Sequence, residues 1–139
     1  MSCGGLGPML IVDASCLFEV LADTPNSEAI RERMSADGDL AAPHLVDAEV
    51  IGIVRGHHLR GLLDLTAANQ AIDDLRDWPG DRYGHRPLLA RAWELRNSVR
   101  SWDALYVALA EAFDATLITR DSRLAAARGP ESRIEVVAA

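Results

Sequence analysis

The chain has 139 residues, of which 49% are hydrophobic and 25% are charged, and its net charge is −7. This size and composition predict one globular domain with a single core. All 14 basic residues are arginine, which argues against Walker P-loop proteins and receiver-type phosphoacceptor domains, because both place a lysine beside the phosphate. The acidic balance also argues against broad electrostatic capture of nucleic acid. Any phosphate would therefore have to be held by a metal ion and local arginines.

The cysteines and the hydropathy pattern indicate a compartment. Cys3 and Cys16 have neither the number nor the spacing of a zinc site or a disulfide framework, which favours a reducing environment. No apolar run approaches the roughly 20 residues of a membrane span, and the N-terminus lacks the pattern of a signal peptide. We therefore expect a cytoplasmic protein with no membrane segment. Residues 1–8 are glycine-rich and unpatterned, so we treat them as a flexible leader or cloning remnant and predict a single domain over residues 9–139.

Apolar runs and helical periodicities alternate along the chain. Strands are predicted at 10–13, 40–42, 116–119 and 134–137, and helices at 14–21, 27–34, 45–54, 66–78, 87–99, 101–113 and 122–127. Thr66 and Ser101 are expected to cap the helices that they begin. The glycine-bounded segment 56–61 is expected to be a loop. Strands separated by helices predict an α/β fold with a mainly parallel sheet.

Four acidic residues lie where apolar elements begin or end. Asp13 and Asp121 follow predicted strands, Asp103 falls in the first turn of a helix, and Glu49 lies on another helix. The functional crevice of an open parallel sheet lies at the carboxyl ends of its strands, so we expect these side chains to converge there. Converging carboxylates repel one another unless protons or a cation neutralise them, and oxygen ligands suit Mg²⁺ or Mn²⁺. We interpret Asp13, Glu49, Asp103 and Asp121 as catalytic metal ligands.

Two hydroxyl side chains accompany these acids. Ser15 and Thr119 lie two residues from Asp13 and Asp121, a spacing suited to orienting a carboxylate or a metal-bound water. Structural roles are the alternatives: Asp13 and Asp121 as helix caps, and Asp103 as a partner of the helix dipole. Asp47 competes with Glu49 for the role on that helix, but its position predicts a solvated side chain. His57 and His58 are interpreted as polar loop residues.

At these residues the chain resembles the PIN domain and, within that superfamily, the VapC-type toxins of bacterial type II toxin–antitoxin pairs. The resemblance is carried by Leu-Ile-Val-Asp-Ala-Ser at 10–15, Ala-Glu-Val at 48–50, Ser-Trp-Asp-Ala-Leu-Tyr-Val-Ala-Leu-Ala at 101–110 and Leu-Ile-Thr-Arg-Asp at 117–121. It implies a three-layer α/β/α sandwich whose acidic metal pocket consists of Asp13, Glu49, Asp103 and Asp121, with Ser15 and Thr119 in support. It also implies a Mg²⁺-dependent endoribonuclease, an RNA substrate, a homodimer, and a cognate antitoxin that blocks the pocket.

The sequence is compatible with two other functions. A small-molecule phosphohydrolase of the haloacid dehalogenase type also begins with an aspartate at a strand end. That class requires a second aspartate two residues later, where this chain has Ser15. A non-catalytic RNA-binding module with a PIN-like fold is disfavoured because no acidic position is missing. Cleavage of RNA and of a generic phosphomonoester in Mg²⁺ would separate the three hypotheses.

Overall fold

The computed structural model describes residues 9–36 and 38–137. The leader predicted at residues 1–8 lies outside the described residues. The strands are β1 Met9–Val12, β2 Asp39–Pro43, β3 Asp81–Tyr83, β4 Thr116–Thr119 and β5 Ile134–Val136, and the helices are α1 Ala14–Leu21, α2 Ser27–Ser35, α3 Leu45–Leu59, α4 Leu65–Asp77, α5 Leu89–Glu94, α6 Ser101–Ala112 and α7 Ser122–Ala126.

All described strand pairs are parallel, in the order β3-β2-β1-β4-β5. The central strand β1 is a continuous apolar run with Leu10, Ile11 and Val12 fully buried, as expected for a strand that is covered on both faces. Helices α1, α3 and α4 pack together, whereas α5 packs on α6 and α6 contacts the central strands. The three-layer α/β/α prediction is confirmed. The order places the carboxyl ends of β1 and β4 side by side.

Helix α6 is firmly packed against the sheet, and it begins with the segment that contains Asp103. Every residue from Ala104 to Ala110 is buried, and the small alanines allow the helix to lie close to the sheet. Tyr106 is fully buried in the middle of this helix. Although α6 is the most thoroughly buried helix, it has only 12 residues, and none of the described helices is both long and apolar enough to cross a bilayer.

The prediction of a loop at residues 56–61 is wrong. Helix α3 continues to Leu59, and the turn comes at Gly61, whose φ of +76° lies in the left-handed region. Gly56 does not break the helix because α3 packs on α1 and α4, and tertiary packing overrides the low helix propensity of glycine.

Both predicted helix caps are also wrong. The cap of α4 is Asp64, whose Oδ1 accepts a hydrogen bond of 2.8 Å from the Ala67 amide. Thr66 lies inside the helix instead. Ser101 is the first residue of α6, and the capping position belongs to Arg100, which has extended backbone and no capping side-chain bond.

The region between α4 and α6 differs most from prediction. Strand β3 was not predicted because it is three residues long, largely polar and at the edge of the sheet. The single helix predicted at 87–99 is a 3₁₀ turn at Arg86–Leu88 followed by the short helix α5 and a series of turns. The remaining predicted helices and strands are confirmed to within two residues.

Candidate active site

Asp13 is the anchor of the acidic site. It directly follows β1 and is 7% exposed. Its amide donates to the Ile118 carbonyl of β4 at 3.1 Å, and its carbonyl accepts two amides at the start of α1. Its Oδ2 accepts hydrogen bonds from Thr119 Oγ1 at 2.6 Å and Ser15 Oγ at 3.2 Å. Both the main chain and the carboxylate of Asp13 are therefore held, although the side chain makes no helix-capping bond.

The two hydroxyl groups connect Asp13 to the segment between β4 and α7. Ser15 Oγ accepts from the Arg120 amide at 3.2 Å, and Thr119 Oγ1 accepts from the Asp121 amide at 3.1 Å. Each hydroxyl therefore has its own proton available for Asp13. This arrangement is what an orienting role for Ser15 and Thr119 requires. That role stays a prediction.

Asp103 and Asp121 face one cleft of about 210 Å³. Arg100 Nη2 lies 3.2 Å from Asp103 Oδ2 and 3.7 Å from Asp121 Oδ2. Asp121 also caps α7, because its Oδ1 accepts from the Arg123 amide at 2.9 Å. The capping alternative is thus realised for Asp121, but Oδ2 of the same carboxylate still points towards Arg100.

Glu49 approaches the site from α3. Its Oε1 is buried and has no hydrogen-bond partner, and the same is true of the Tyr106 hydroxyl. Burial is the largest cause that raises the pKa of Glu49, and Tyr106 is the strongest influence against it. The negative charges of Asp13 and Asp103 raise the pKa further, while Arg100 lowers it. Glu49 therefore lies within electrostatic reach of two of the other three acids.

The same repulsion acts on Asp13. Burial is the largest cause that raises the pKa of Asp13, and the charge of Asp103 adds to it, while the hydrogen bonds from Thr119 and Ser15 oppose the change. Direct couplings thus join Asp13, Glu49 and Asp103, and Arg100 joins Asp103 to Asp121. Among the described residues, however, no three His, Cys, Asp or Glu side chains lie close enough together to hold a metal ion as they stand.

Sequence reasoning missed Tyr106. It treated Arg100 only as one of four arginines, at 86, 91, 96 and 100, that were interpreted as solvated helix faces, with RNA phosphates as the alternative partners. Tyr106 lies three residues after Asp103 and Arg100 three residues before it, so helical spacing was the available signal for both. Burial raises the pKa of Tyr106, and the nearby charge of Glu49 raises it further, so the phenol stays protonated.

The neighbouring polar residues have structural roles. Asp47, predicted to be solvated, accepts from Arg82 Nη2 at 2.9 Å. His57 packs on Phe18 with ring centroids 4.6 Å apart, and its Nδ1 lies 3.0 Å from the Ile53 carbonyl. Cys16 is buried, and burial together with the charge of Asp13 raises the pKa of its thiol to about 12. These residues support the elements around the site.

Comparison with known proteins shows the family of this chain. A sequence profile of the PIN domain matches residues 10–130. Ribonuclease VapC1 of Mycobacterium tuberculosis is 40% identical over 128 residues, which cover 91% of this chain and 96% of VapC1, and ribonuclease VapC12 of the same organism is 35% identical over 94% of this chain and 100% of VapC12. The crystal structure of VapBC2 from Rickettsia felis, bound to a DNA fragment from their promoter, matches 92% of this chain and 98% of its own with a TM-score of 0.67 at 17% identity, which shows the same fold. The chain belongs to the PIN-domain family and, within it, to the VapC ribonucleases.

Proposed function

We propose that this chain is a metal-dependent endoribonuclease that acts as the toxin of a toxin–antitoxin pair. The observation that carries the proposal is the convergence of acidic side chains near the carboxyl ends of β1 and β4, where the charge of Asp103 raises the pKa of both Asp13 and Glu49, in addition to the effect of burial. Such a group of carboxylates costs folding free energy unless a positive charge joins it. Its membership of the VapC ribonucleases supports RNA as the substrate.

The donor set fits a hard divalent cation. All four predicted ligands offer carboxylate oxygens, and Glu49 Oε1 is buried without a partner, which is the arrangement that Mg²⁺ or Mn²⁺ binding would satisfy. We expect Asp13, Asp103, Asp121 and Glu49 to hold the ion after small side-chain movements. When bound, the cation supplies a water of lowered pKa and stabilises negative charge on the phosphoryl oxygens.

The chain itself orients these groups. Thr119 and Ser15 fix Oδ2 of Asp13, so the carboxylate is held in one orientation. The buried first turns of α6 fix Asp103. Glu49 Oε1, having no hydrogen bond of its own, is left available as a ligand of the ion.

Cleavage assays with and without chelator test this function. EDTA should abolish cleavage of RNA, and Mg²⁺ or Mn²⁺ should restore it, because four carboxylates without a cation repel the phosphate. A phosphomonoester should remain intact under the same conditions. Undiminished cleavage in EDTA would contradict the metal mechanism. Turnover of the phosphomonoester would favour the phosphohydrolase alternative, and RNA binding without cleavage would favour the non-catalytic module.

We also propose that an antitoxin blocks the pocket by inserting an arginine, whose planar guanidinium pairs with carboxylates. The family relationship supports this partner. We expect apolar residues of the antitoxin to lie on α3 near residues 45–54. The apolar surface there is small, because Val46, Val50 and Val54 are buried and Ile51 is the exposed large apolar side chain. The toxin–antitoxin complex should be inactive, and replacing the inserted arginine by alanine should restore part of the activity.

A homodimer is the second proposed assembly. Leu89, Trp93 and Trp102 are each more than half exposed and line a groove of about 570 Å³ between α5 and α6. A contiguous apolar surface of this kind usually marks an interface, and a second copy of the chain is the occupant that we propose. Light scattering after size exclusion should give a dimer for the wild type and a monomer for Trp93→Ser/Trp102→Ser. A monomeric wild type would contradict the assembly.

A further inference from the structure

Arg100 lies where the proposed cation would have to act. Its Nε and Nη2 are each 3.2 Å from Asp103 Oδ2, and Nη2 is 3.7 Å from Asp121 Oδ2. One guanidinium therefore contacts carboxylates from two different elements, α6 and the segment before α7. It also supplies one of the charges that stabilise the ionised form of Glu49.

The backbone of Arg100 is anchored in α6 while its side chain is exposed. Its carbonyl accepts the Ala104 amide at 2.8 Å at the start of α6, so the buried helix determines where the side chain begins. The side chain itself is 72% exposed, whereas that of Asp103 is 15% exposed. An exposed ion pair of this type is weak and easily exchanged. Asp103 is thus a fixed anion paired with a replaceable cation.

Arg100 and a divalent ion compete for the charge of Asp103. An ion that bound Oδ2 of Asp103 would share with the guanidinium the oxygen that it now contacts, and two positive centres around one carboxylate repel each other. Arg100 therefore opposes binding of the ion, and the bound ion favours movement of the guanidinium away from Asp103.

We infer that Arg100 occupies the cation position of the acidic pocket before metal binds, and that the incoming metal displaces it towards the phosphate of the RNA substrate. This inference rests on the proposed function. A displaced Arg100 remains at the mouth of the cleft with its donors available, and a guanidinium pairs well with phosphate oxygens. One residue then neutralises the resting pocket and binds the substrate in the loaded one.

Arg123 provides the matched control. Its Nε is 3.6 Å from Asp121 Oδ1, its side chain is 88% exposed, and it lines the same cleft. Unlike Arg100, it has no contact with Asp103 among the described residues. Arg100→Met and Arg123→Met each remove one positive charge from the cleft, but only the first removes the charge shared by two site carboxylates.

Calorimetric titration of the chelator-stripped, full-length protein with MnCl₂ tests the competition without using activity. Arg100→Met should bind Mn²⁺ roughly three- to tenfold more tightly than the wild type, because the competing charge is gone. Arg123→Met should change the affinity by less than about twofold, and Arg100→Lys should resemble the wild type. Unchanged affinity in Arg100→Met, or equal tightening in both methionine variants, would overturn the competition.

Steady-state cleavage at saturating Mn²⁺ tests the second half. Arg100→Met should raise the KM for RNA several-fold more than Arg123→Met does. Tighter Mn²⁺ binding with an unchanged KM would overturn the phosphate contact. If the wild type binds no Mn²⁺ at millimolar concentration, both the proposed metal site and the inference about Arg100 are wrong. If the wild type binds Mn²⁺ and Asp13→Asn does not, the metal site is supported. The Arg100 and Arg123 variants then test the role of Arg100 alone.

Discussion

Asp13 and Glu111 are both carboxylates largely withdrawn from solvent, and the protein treats their charges in opposite ways. Glu111, near the end of α6, accepts from Arg91 at 2.6 and 3.1 Å and from the Glu131 amide at 2.7 Å. Burial opposes ionisation of Glu111, but these hydrogen bonds prevail and its pKa is lowered. Asp13 has hydroxyl donors and acidic neighbours, and its pKa is raised.

The difference separates a carboxylate that stabilises the fold from one that awaits a ligand. Glu111 is neutralised inside the chain, so its charge ties α6 to α5 and to the segment before β5. Asp13 and Glu49 have no arginine in hydrogen-bond contact among the described residues, so Arg100 compensates the charge of this site only in part. The site is therefore recognised by carboxylates at a strand end whose negative charges are only partly neutralised by the rest of the chain.

Neutralising the site carboxylates tests this contrast most strongly. Asp13→Asn and Asp103→Asn should each reduce RNA cleavage on the order of 100-fold or more. Without metal, each variant should be as stable as the wild type or slightly more stable, because like-charge repulsion is relieved. Cleavage rates in Mn²⁺ and urea unfolding in EDTA measure the two effects. Loss of folded protein in both variants would support a structural role for these acids instead.

Glu111→Gln should behave in the reverse way. Losing the charged hydrogen bonds of Arg91 should lower the free energy of unfolding by about 1 to 2 kcal/mol. Mn²⁺ affinity should stay within about twofold of the wild type, because Glu111 makes no contact with the acidic site. Urea unfolding and calorimetry measure both properties. Stability equal to that of the wild type would contradict the role assigned to this ion pair.

The pH dependence of stability should have opposite signs for the two carboxylates. The raised pKa of Asp13 means that the native state binds the proton of this carboxyl more tightly than the unfolded state does. In EDTA, the free energy of unfolding should therefore fall as pH rises from the ordinary carboxyl range near 4 through the raised pKa of Asp13. The decrease due to this group is at most about 1.4 kcal/mol per pH unit. The lowered pKa of Glu111 means that its stabilisation is lost as pH falls through that lowered value. Unfolding curves of wild type, Asp13→Asn and Glu111→Gln at a series of pH values measure these differences. Parallel wild-type and Asp13→Asn profiles would contradict the assignment.

Tyr106→Phe should have the smallest effect. Removing a buried hydroxyl that has no hydrogen-bond partner should leave the free energy of unfolding unchanged to within about 1 kcal/mol. Although it makes no well-formed hydrogen bond, the hydroxyl lies near Glu49 and favours its ionised form, so its loss should weaken Mn²⁺ binding by about two- to fivefold near pH 6. Calorimetry of the wild type and Tyr106→Phe at two pH values measures this change. If the two proteins have the same Mn²⁺ affinity at both pH values, Tyr106 does not influence Glu49.

The sequence by itself determined the alternation of strands and helices, the parallel sheet, and the positions of the four acids along the chain. These features follow from local patterns, since a buried apolar strand and an amphipathic helix are both visible in a few consecutive residues. The position of Asp13 at the carboxyl edge of the sheet was also predictable, because a residue directly after a central parallel strand lies at the carboxyl end of that strand.

Only the tertiary structure decided which charges compensate which. Arg91 beside Glu111 and Arg82 beside Asp47 join residues 20 and 35 positions apart, so no local pattern pairs them. The three-residue spacing of Arg100 and Asp103, by contrast, is visible in the sequence. A long side chain reaches partners on several elements, and its choice depends on how helices pack rather than on its neighbours in sequence. The same reason explains why Gly56 remains helical and why β3 forms at the sheet edge, since packing and pairing partners far along the chain outweigh weak local preferences.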